Sequence, residues 1–150
     1  MKKITPFLWF DNNAEEAMNF YCTIFKNAKK GNMNYLPDGK FMTGTFELEG
    51  QEFYILNGGP LFKFTEAISF FVNCETQEEV DELWNKLSEG GQTSQCGWLK
   101  DKFGLSWQII PSALGRLMGD QDPAKSQRVM QAMMKMTKIE INKLEEAYNG

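Results

Sequence analysis

The sequence predicts an α+β fold built from two βαβββ-like modules, and three observations carry that prediction. Apolar residues make up 42% and charged residues 24% of the 150-residue chain, the balance of a globular protein long enough to bury a sizeable core. The chain also repeats itself. WFDNNAEEAMNFY at residues 9–21 lies over FVNCETQEEVDELW at 71–84 with one residue inserted, and LEGQEFYIL at 48–56 lies over KFGLSWQII at 102–110, glycine on glycine. Finally, each copy reads strand, polar cap, helix, strands, at a period of roughly 55–63 residues. Half of such a chain rarely stands alone, so the halves are expected to share one sheet or core.

The elements follow in order. Residues 3–10 are apolar and rich in β-formers, with Pro6 suited to an edge strand or a strand start. Asp11, Asn12 and Asn13 offer N-cap oxygens, and over residues 14–25 Ala17, Phe20, Tyr21, Ile24 and Phe25 recur at helical spacing. Residues 27–31 end that helix, with Lys26, Lys29 and Lys30 suited to its negative pole. Pro37-Asp38-Gly39 is a turn, and residues 40–48 and 52–56 form a hairpin about Gly50. Asn57-Gly58-Gly59-Pro60 breaks the pattern, residues 61–65 connect, and residues 67–72 form the next apolar strand. Capping oxygens at 73–76 open a helix over 77–87 with Val80, Leu83, Trp84 and Leu87 on one face. Residues 95–99 and 105–110 form a second hairpin, closed by Pro111. Asp122 as N-cap and Pro123 at the first helical position open a C-terminal helix. Along it Met130, Met134, Thr137, Ile141, Leu144 and Tyr148 form a continuous stripe. The expected layout is one domain over residues 1–120, with repeats at about 1–60 and 65–115, and a helix at 121–150 packing on the domain or on a second subunit.

Composition excludes whole classes of chemistry. Sixteen basic against 20 acidic side chains leave a formal charge of −4, whereas a sequence-independent nucleic-acid binder needs a basic surface. The chain has no histidine, which removes the imidazole general base, the Ser-His and Cys-His pairs and every imidazole-dependent metal site. No apolar run approaches the ~20 residues of a membrane span, and the start MKKITPFLWFDNN is too short in apolar residues for a signal peptide. Cytoplasm is the expected compartment. Cys22, Cys74 and Cys96 are odd in number, widely spaced and without a CxxC pair, so they read as packed thiols rather than a disulfide framework or zinc site.

The segments ITPFLWFDNNAEEAMNFY, FYILNGGP, ISFFVNCETQEEVDELW, LKDKFGLSWQIIP and DPAKSQRVMQAMMKMTKIEINKLEEAY cover nearly the whole chain. In that order and spacing they resemble the vicinal oxygen chelate superfamily of glyoxalase, extradiol dioxygenases and bleomycin- and fosfomycin-resistance proteins. The nearer resemblance is to its PhnB-like branch. It implies a curved mixed sheet from the two modules around a pocket on its concave face, and a homodimer. In glyoxalase-type members it also implies a divalent metal on four side chains. Matched strand by strand, those positions fall on Thr5, Tyr54, Ala67 and Gln108. Alanine has no donor, and a hydroxyl, a phenol and a neutral amide hold a divalent ion weakly without a carboxylate. No metal or other cofactor is therefore expected. Some PhnB-like proteins carry the name demethylubiquinone methyltransferase. Methyl transfer from S-adenosylmethionine commonly uses a glycine-rich loop after a first strand. This chain has no GxGxxG, and its glycines fall at turns and helix ends.

Alternation, with the face chosen by the family geometry, puts Thr5, Phe7, Trp9, Tyr54, Leu56, Ala67, Ser69, Phe71, Ser106 and Gln108 on the concave face. Leu8, Phe10, Phe53, Ile55, Phe70, Val72, Trp107 and Ile109 then lie beneath the helices. Aromatic walls with neutral polar tips suit a small, flat or apolar organic ligand, with Gln108 and Ser69 orienting a carbonyl and Tyr54 donating to an oxyanion. The expected function is metal-free binding of such a molecule. The alternatives are a divergent lyase, isomerase or dioxygenase acting on a carbonyl or aromatic substrate, and a dimeric scaffold without ligand. Glu15, Glu16, Glu78 and Glu79 favour helix N-termini, and Asp101 reads as a solvated turn residue. Asn57-Gly58-Gly59 reads as a turn or as a backbone cradle for an anion.

Overall fold

A computed structural model describes residues 2–150. The chain divides into two compact units, Met1–Phe64 and Thr65–Gly150, each with its own four-stranded mixed sheet. In the first, β1 (Phe7–Phe10), α1 (Ala14–Ile24), β2 (Ala28–Tyr35), β3 (Phe41–Leu48) and β4 (Gln51–Asn57) follow one another. The sheet order is β1-β4-β3-β2, with β1 parallel to β4 and the other pairs antiparallel. The second unit repeats the plan. Its elements are β5 (Ser69–Cys74), α2 (Gln77–Ser88), β6 (Gln92–Thr93), β7 (Trp98–Lys100) and β8 (Ser106–Pro111), in the order β5-β8-β7-β6 with β5 parallel to β8. The α+β class and the two βαβββ modules read from the repeat are thus the observed architecture, as two open sheets. Among the described residues no helix is long and apolar enough to cross a membrane.

Each helix covers one face of its own sheet. Ala14, Ala17, Met18, Tyr21 and Ile24 of α1 are buried, as are Leu8, Phe10, Phe46, Leu48, Phe53 and Ile55 of the strands. The Phe46 ring stacks with those of Tyr21 and Phe53, at centroid distances of 6.2 and 5.1 Å. In the second unit Val80, Leu83, Trp84 and Leu87 of α2 are buried with Leu99, Trp107 and Ile109. Burial of each such large side chain is worth about 1.5–3 kcal/mol, which is why α1 and α2 stay on these faces.

Capping differs between the two copies. Thr76 caps α2 as its sequence suggests, its hydroxyl accepting from the Glu79 N–H at 3.2 Å. Asn13 makes no side-chain cap on α1. The Ala14 N–H is met instead by Oδ1 of Asn57, at the end of β4, while Asn57 Nδ2 donates to the Phe41 carbonyl. The amides of Gly58 and Gly59 donate to the carbonyls of Phe10 and Asp11, so this segment ties β4 to the β1–α1 turn and has no amides to offer an anion.

Three stretches depart from the sequence reading. The segment AKKGNMNY, of which residues up to 31 are expected to end α1, is the edge strand β2, and Gln92–Thr93 is the short edge strand β6. Both are largely exposed and polar, so alternation carries no signal, and only pairing with β3 and β7 makes them strands. The single helix expected over 121–150 is two, α4 (Pro123–Met134) and α5 (Ile141–Asn149), and an unexpected helix α3 (Ser112–Met118) precedes them. Residues 135–140 leave the helix because their carbonyls have partners elsewhere. Met136 and Thr137 accept from the amides of Cys96 and Gly97, and Ile139 from Gln77 Nε2, whose Oε1 accepts from the Ile141 N–H. The break resets the register. Val129, Met136, Ile139 and Leu144 join Ile110, Leu114 and Leu117 in a core cluster, while Met130 and Met134 of the expected stripe are exposed.

Asp101 is not solvated. It is 2% exposed, and its carboxylate accepts from the amides of Phe103 (2.8 Å) and Leu105 (3.1 Å) and from the Trp107 indole (2.9 Å). Such a buried charge persists only when hydrogen bonds replace its water. Asp101→Ala strands three donors and is expected to cost about 3 kcal/mol in urea denaturation. A loss below about 1 kcal/mol would contradict the bonding described.

Candidate functional site

The strand registers place most of the expected ligand residues on the helix-free faces. In the first unit Phe7 stands opposite Tyr54, which pairs with Thr45, and Trp9 opposite Leu56, which pairs with Thr43. Phe7 stacks on Tyr54 at a centroid distance of 5.2 Å and an angle of 20°, and still remains 57% exposed. Trp9 is held from two sides: its indole N–H donates to the Gly59 carbonyl at 2.9 Å, and Phe62 meets its ring edge-on at 5.0 Å. A β-carbon on Gly58 would lie 2.4 Å from the Trp9 ring, so this approach needs glycine. Beside Tyr54 runs a groove of about 170 Å³, lined by Asn32, Asn34, Thr43, Thr45 and Glu52.

In the second unit Ser69, Ser106 and Lys100 form one cross-strand row, and Phe71, Gln108 and Trp98 the next. Gln108 Nε2 donates to the Ser69 hydroxyl at 2.9 Å, while Phe71 is 60% exposed. Ala67 lies ahead of β5 and is exposed. Lys100 pairs with Glu66, and that hydrogen bond holds the Glu66 carboxyl below its ordinary range. Ser106 is 1% exposed, and its hydroxyl has no hydrogen-bond partner among the described residues. It lines a cavity of about 280 Å³ with Glu66, Gln92, Thr93, Ser94, Trp98 and Lys100.

The four positions at which relatives of glyoxalase would hold a metal do not fit one. Thr5 precedes β1 and gives its proton to Glu52 Oε1 at 3.4 Å; Ala67 has no donor; Tyr54 offers a phenol and Gln108 a neutral amide oxygen, its Nε2 donating to Ser69, and both are weak ligands for a divalent ion. Among the described residues no group of three or more aspartates, glutamates or cysteines converges. Glu52, Trp98 and Lys100 belong to these faces although sequence reading passed over them. The signal was available for Trp98 and Lys100, which alternate in β7 opposite Gln108 and Ser106. The same alternation was available for Glu52, two residues before Tyr54 in β4, where its carboxylate accepts from Thr5.

A pair of βαβββ modules, each a four-stranded mixed sheet with one parallel pair, defines a protein of the vicinal oxygen chelate class. The chain belongs to the family described as 3-demethylubiquinone-9 3-methyltransferase, the PhnB-like branch of that class, whose pattern matches residues 2–110. Among solved structures, a PhnB protein from Bacillus cereus is 36% identical with a TM-score of 0.70, over 74% of this chain and 100% of that one. Protein PA1353 from Pseudomonas aeruginosa is 20% identical with a TM-score of 0.60, over 74% and 98%. The fosfomycin resistance protein FosX from Listeria monocytogenes, solved with Mn(II) and sulfate, is 19% identical with a TM-score of 0.51, over 71% and 89%. The last two are similar in fold alone. A search of curated proteins returns no match.

The cysteines stand apart from this chemistry. Cys74 is fully buried, and burial, helped by the charges of Glu79 and Glu75, pushes its thiol up to about 12. Burial also raises the Cys22 thiol, against the opposing charge of Lys30. A thiol so held is a packing group, not a nucleophile. Iodoacetamide at pH 8 should leave Cys74 unmodified until the chain unfolds. Because folding favours the neutral thiol, stability should fall as pH rises from its ordinary 9.0 toward about 12. Cys74→Ala should flatten that decline; rapid native labelling of Cys74 would contradict its burial.

Proposed function

We propose that this chain is a cytoplasmic, homodimeric binding protein that holds a small, flat organic molecule without a metal, on the helix-free faces of its sheets. The observation that supports this most is the exposed aromatic side chain on each sheet: in the first unit Phe7, stacked on Tyr54, is 57% exposed, and in the second Phe71 is 60% exposed. An aromatic ring laid over such side chains removes apolar area from water on both partners, worth roughly 25 cal/mol per Å². Their neighbours are neutral and directional. Ser69 accepts from Gln108 and so keeps its own proton to donate to a ligand carbonyl. The family description names a methyl transfer, but the residues after β1, Asp11-Asn12-Asn13, supply no glycine cradle for an S-adenosyl cofactor. Binding is the reading these residues support.

Native mass spectrometry of the protein as isolated from its own cells tests this. The expected species is two chains with one organic molecule on each, released intact on denaturation. A chain that carries and releases no organic molecule would overturn the binding reading, and stoichiometric zinc, nickel or manganese would overturn its metal-free part.

A further inference from the structure

Ser106 presents an anomaly that the proposed binding face does not by itself explain. Its hydroxyl is as buried as the core, yet it has no hydrogen-bond partner among the described residues. Buried polar groups in native proteins are nearly always paired, so an unpaired one calls for a partner. Ser106 is one of the residues lining a cavity of about 280 Å³ bounded by β6, β7 and β8. For scale, an apolar cavity of about 150 Å³ holds benzene, so the space suits one substituted ring.

The lining selects further. Trp98 offers an aromatic wall, while Gln92, Thr93 and Ser94 offer neutral polar groups. Lys100, in register with Ser106, is already neutralised by Glu66. An anionic ligand would have to displace Glu66 from Lys100. A neutral carbonyl oxygen takes the Ser106 proton and leaves the ion pair whole.

The geometry points to this cavity as a site for a neutral, single-ring aryl carbonyl compound, its ring against Trp98 and its oxygen accepting from the Ser106 hydroxyl. The inference rests on the small-molecule reading of the sheet faces and names the ligand class for the second of them. A buried serine that waits for a ligand should also behave unlike one that holds the fold together. Replacing it with alanine removes an unpaired group, so the free protein should melt at the same temperature or higher.

The full chain is titrated with acetophenone, sodium benzoate and toluene, followed by saturation-transfer NMR and calorimetry. The wild type should bind acetophenone saturably and at least fivefold more tightly than benzoate or toluene. Ser106→Ala should weaken acetophenone at least fivefold, leave toluene unchanged and not lower Tm. Trp98→Leu should weaken acetophenone and toluene together. Equal acetophenone affinity in wild type and Ser106→Ala overturns the site, as does a Tm several degrees lower in Ser106→Ala, which would show a structural partner for the hydroxyl. If the wild type ignores all three probes while the isolated protein still carries an organic molecule, this inference fails and the broader binding reading stands. If neither is seen, both fail.

Discussion

A four-stranded sheet has two faces, and a module of about 60 residues supplies one helix long enough to cover one of them. That shortage governs the first unit, while the second adds α3, α4 and α5, whose core takes in Ile110 at the end of β8. In the first, α1 shields Leu8, Phe10, Phe46, Phe53 and Ile55; in the second, α2 shields Leu99, Trp107 and Ile109. The opposite faces hold aromatic side chains that the module cannot itself bury, Phe7 and Phe71 foremost. What the helices leave uncovered is the resource for binding: aromatic side chains that stay exposed on each sheet.

The fold compensates with a few polar side chains that each join several backbone segments. Asn57 caps α1 from β4 and ties it to β3. Asp101 gathers two amides and the Trp107 indole at the β7–β8 turn. Gln77, at the start of α2, grips both sides of the break between α4 and α5, and Lys138 reaches Asp81 from the same break. The tail that follows the family pattern is therefore part of the second unit's core rather than an appendage. Its Val129, Met136, Ile139 and Leu144 sit on Ile110, Leu114 and Leu117.

The parts of the fold legible in the sequence are those where burial imposes a period. Val80, Leu83, Trp84 and Leu87 mark α2, and the alternation of residues 53–56 and 106–110 sorts their side chains onto two faces, of which the family geometry names the one that meets a helix. Edge strands carry no such mark, so β2 hid in a lysine-rich stretch that resembles a helix end. Long-range pairing hid more. Asp101 looks like any turn acid until Trp107 folds back on it, and the apolar spacing over 130–148 suggests one helix until Gln77, Cys96 and Gly97 claim the carbonyls at its middle. The same limit applies to the site. Phe7, Trp9, Tyr54 and Leu56 reach one face, and Ser69, Phe71, Ser106 and Gln108 another, as alternation implies. The unpaired state of the Ser106 hydroxyl and the pairing of Lys100 with Glu66 depend on contacts that no local pattern encodes.

The central claim is that the helix-free faces are kept open for a ligand rather than left over from folding. Hydroxyl-radical footprinting tests it most directly, comparing side-chain oxidation in the protein as isolated with that in protein stripped by unfolding and refolding. Phe7, Tyr54, Phe71 and Trp98 should be protected as isolated and become several-fold more reactive once stripped, while Phe53 and Trp107 beneath the helices stay protected throughout. Equal oxidation of the four open-face residues in both samples would contradict the account.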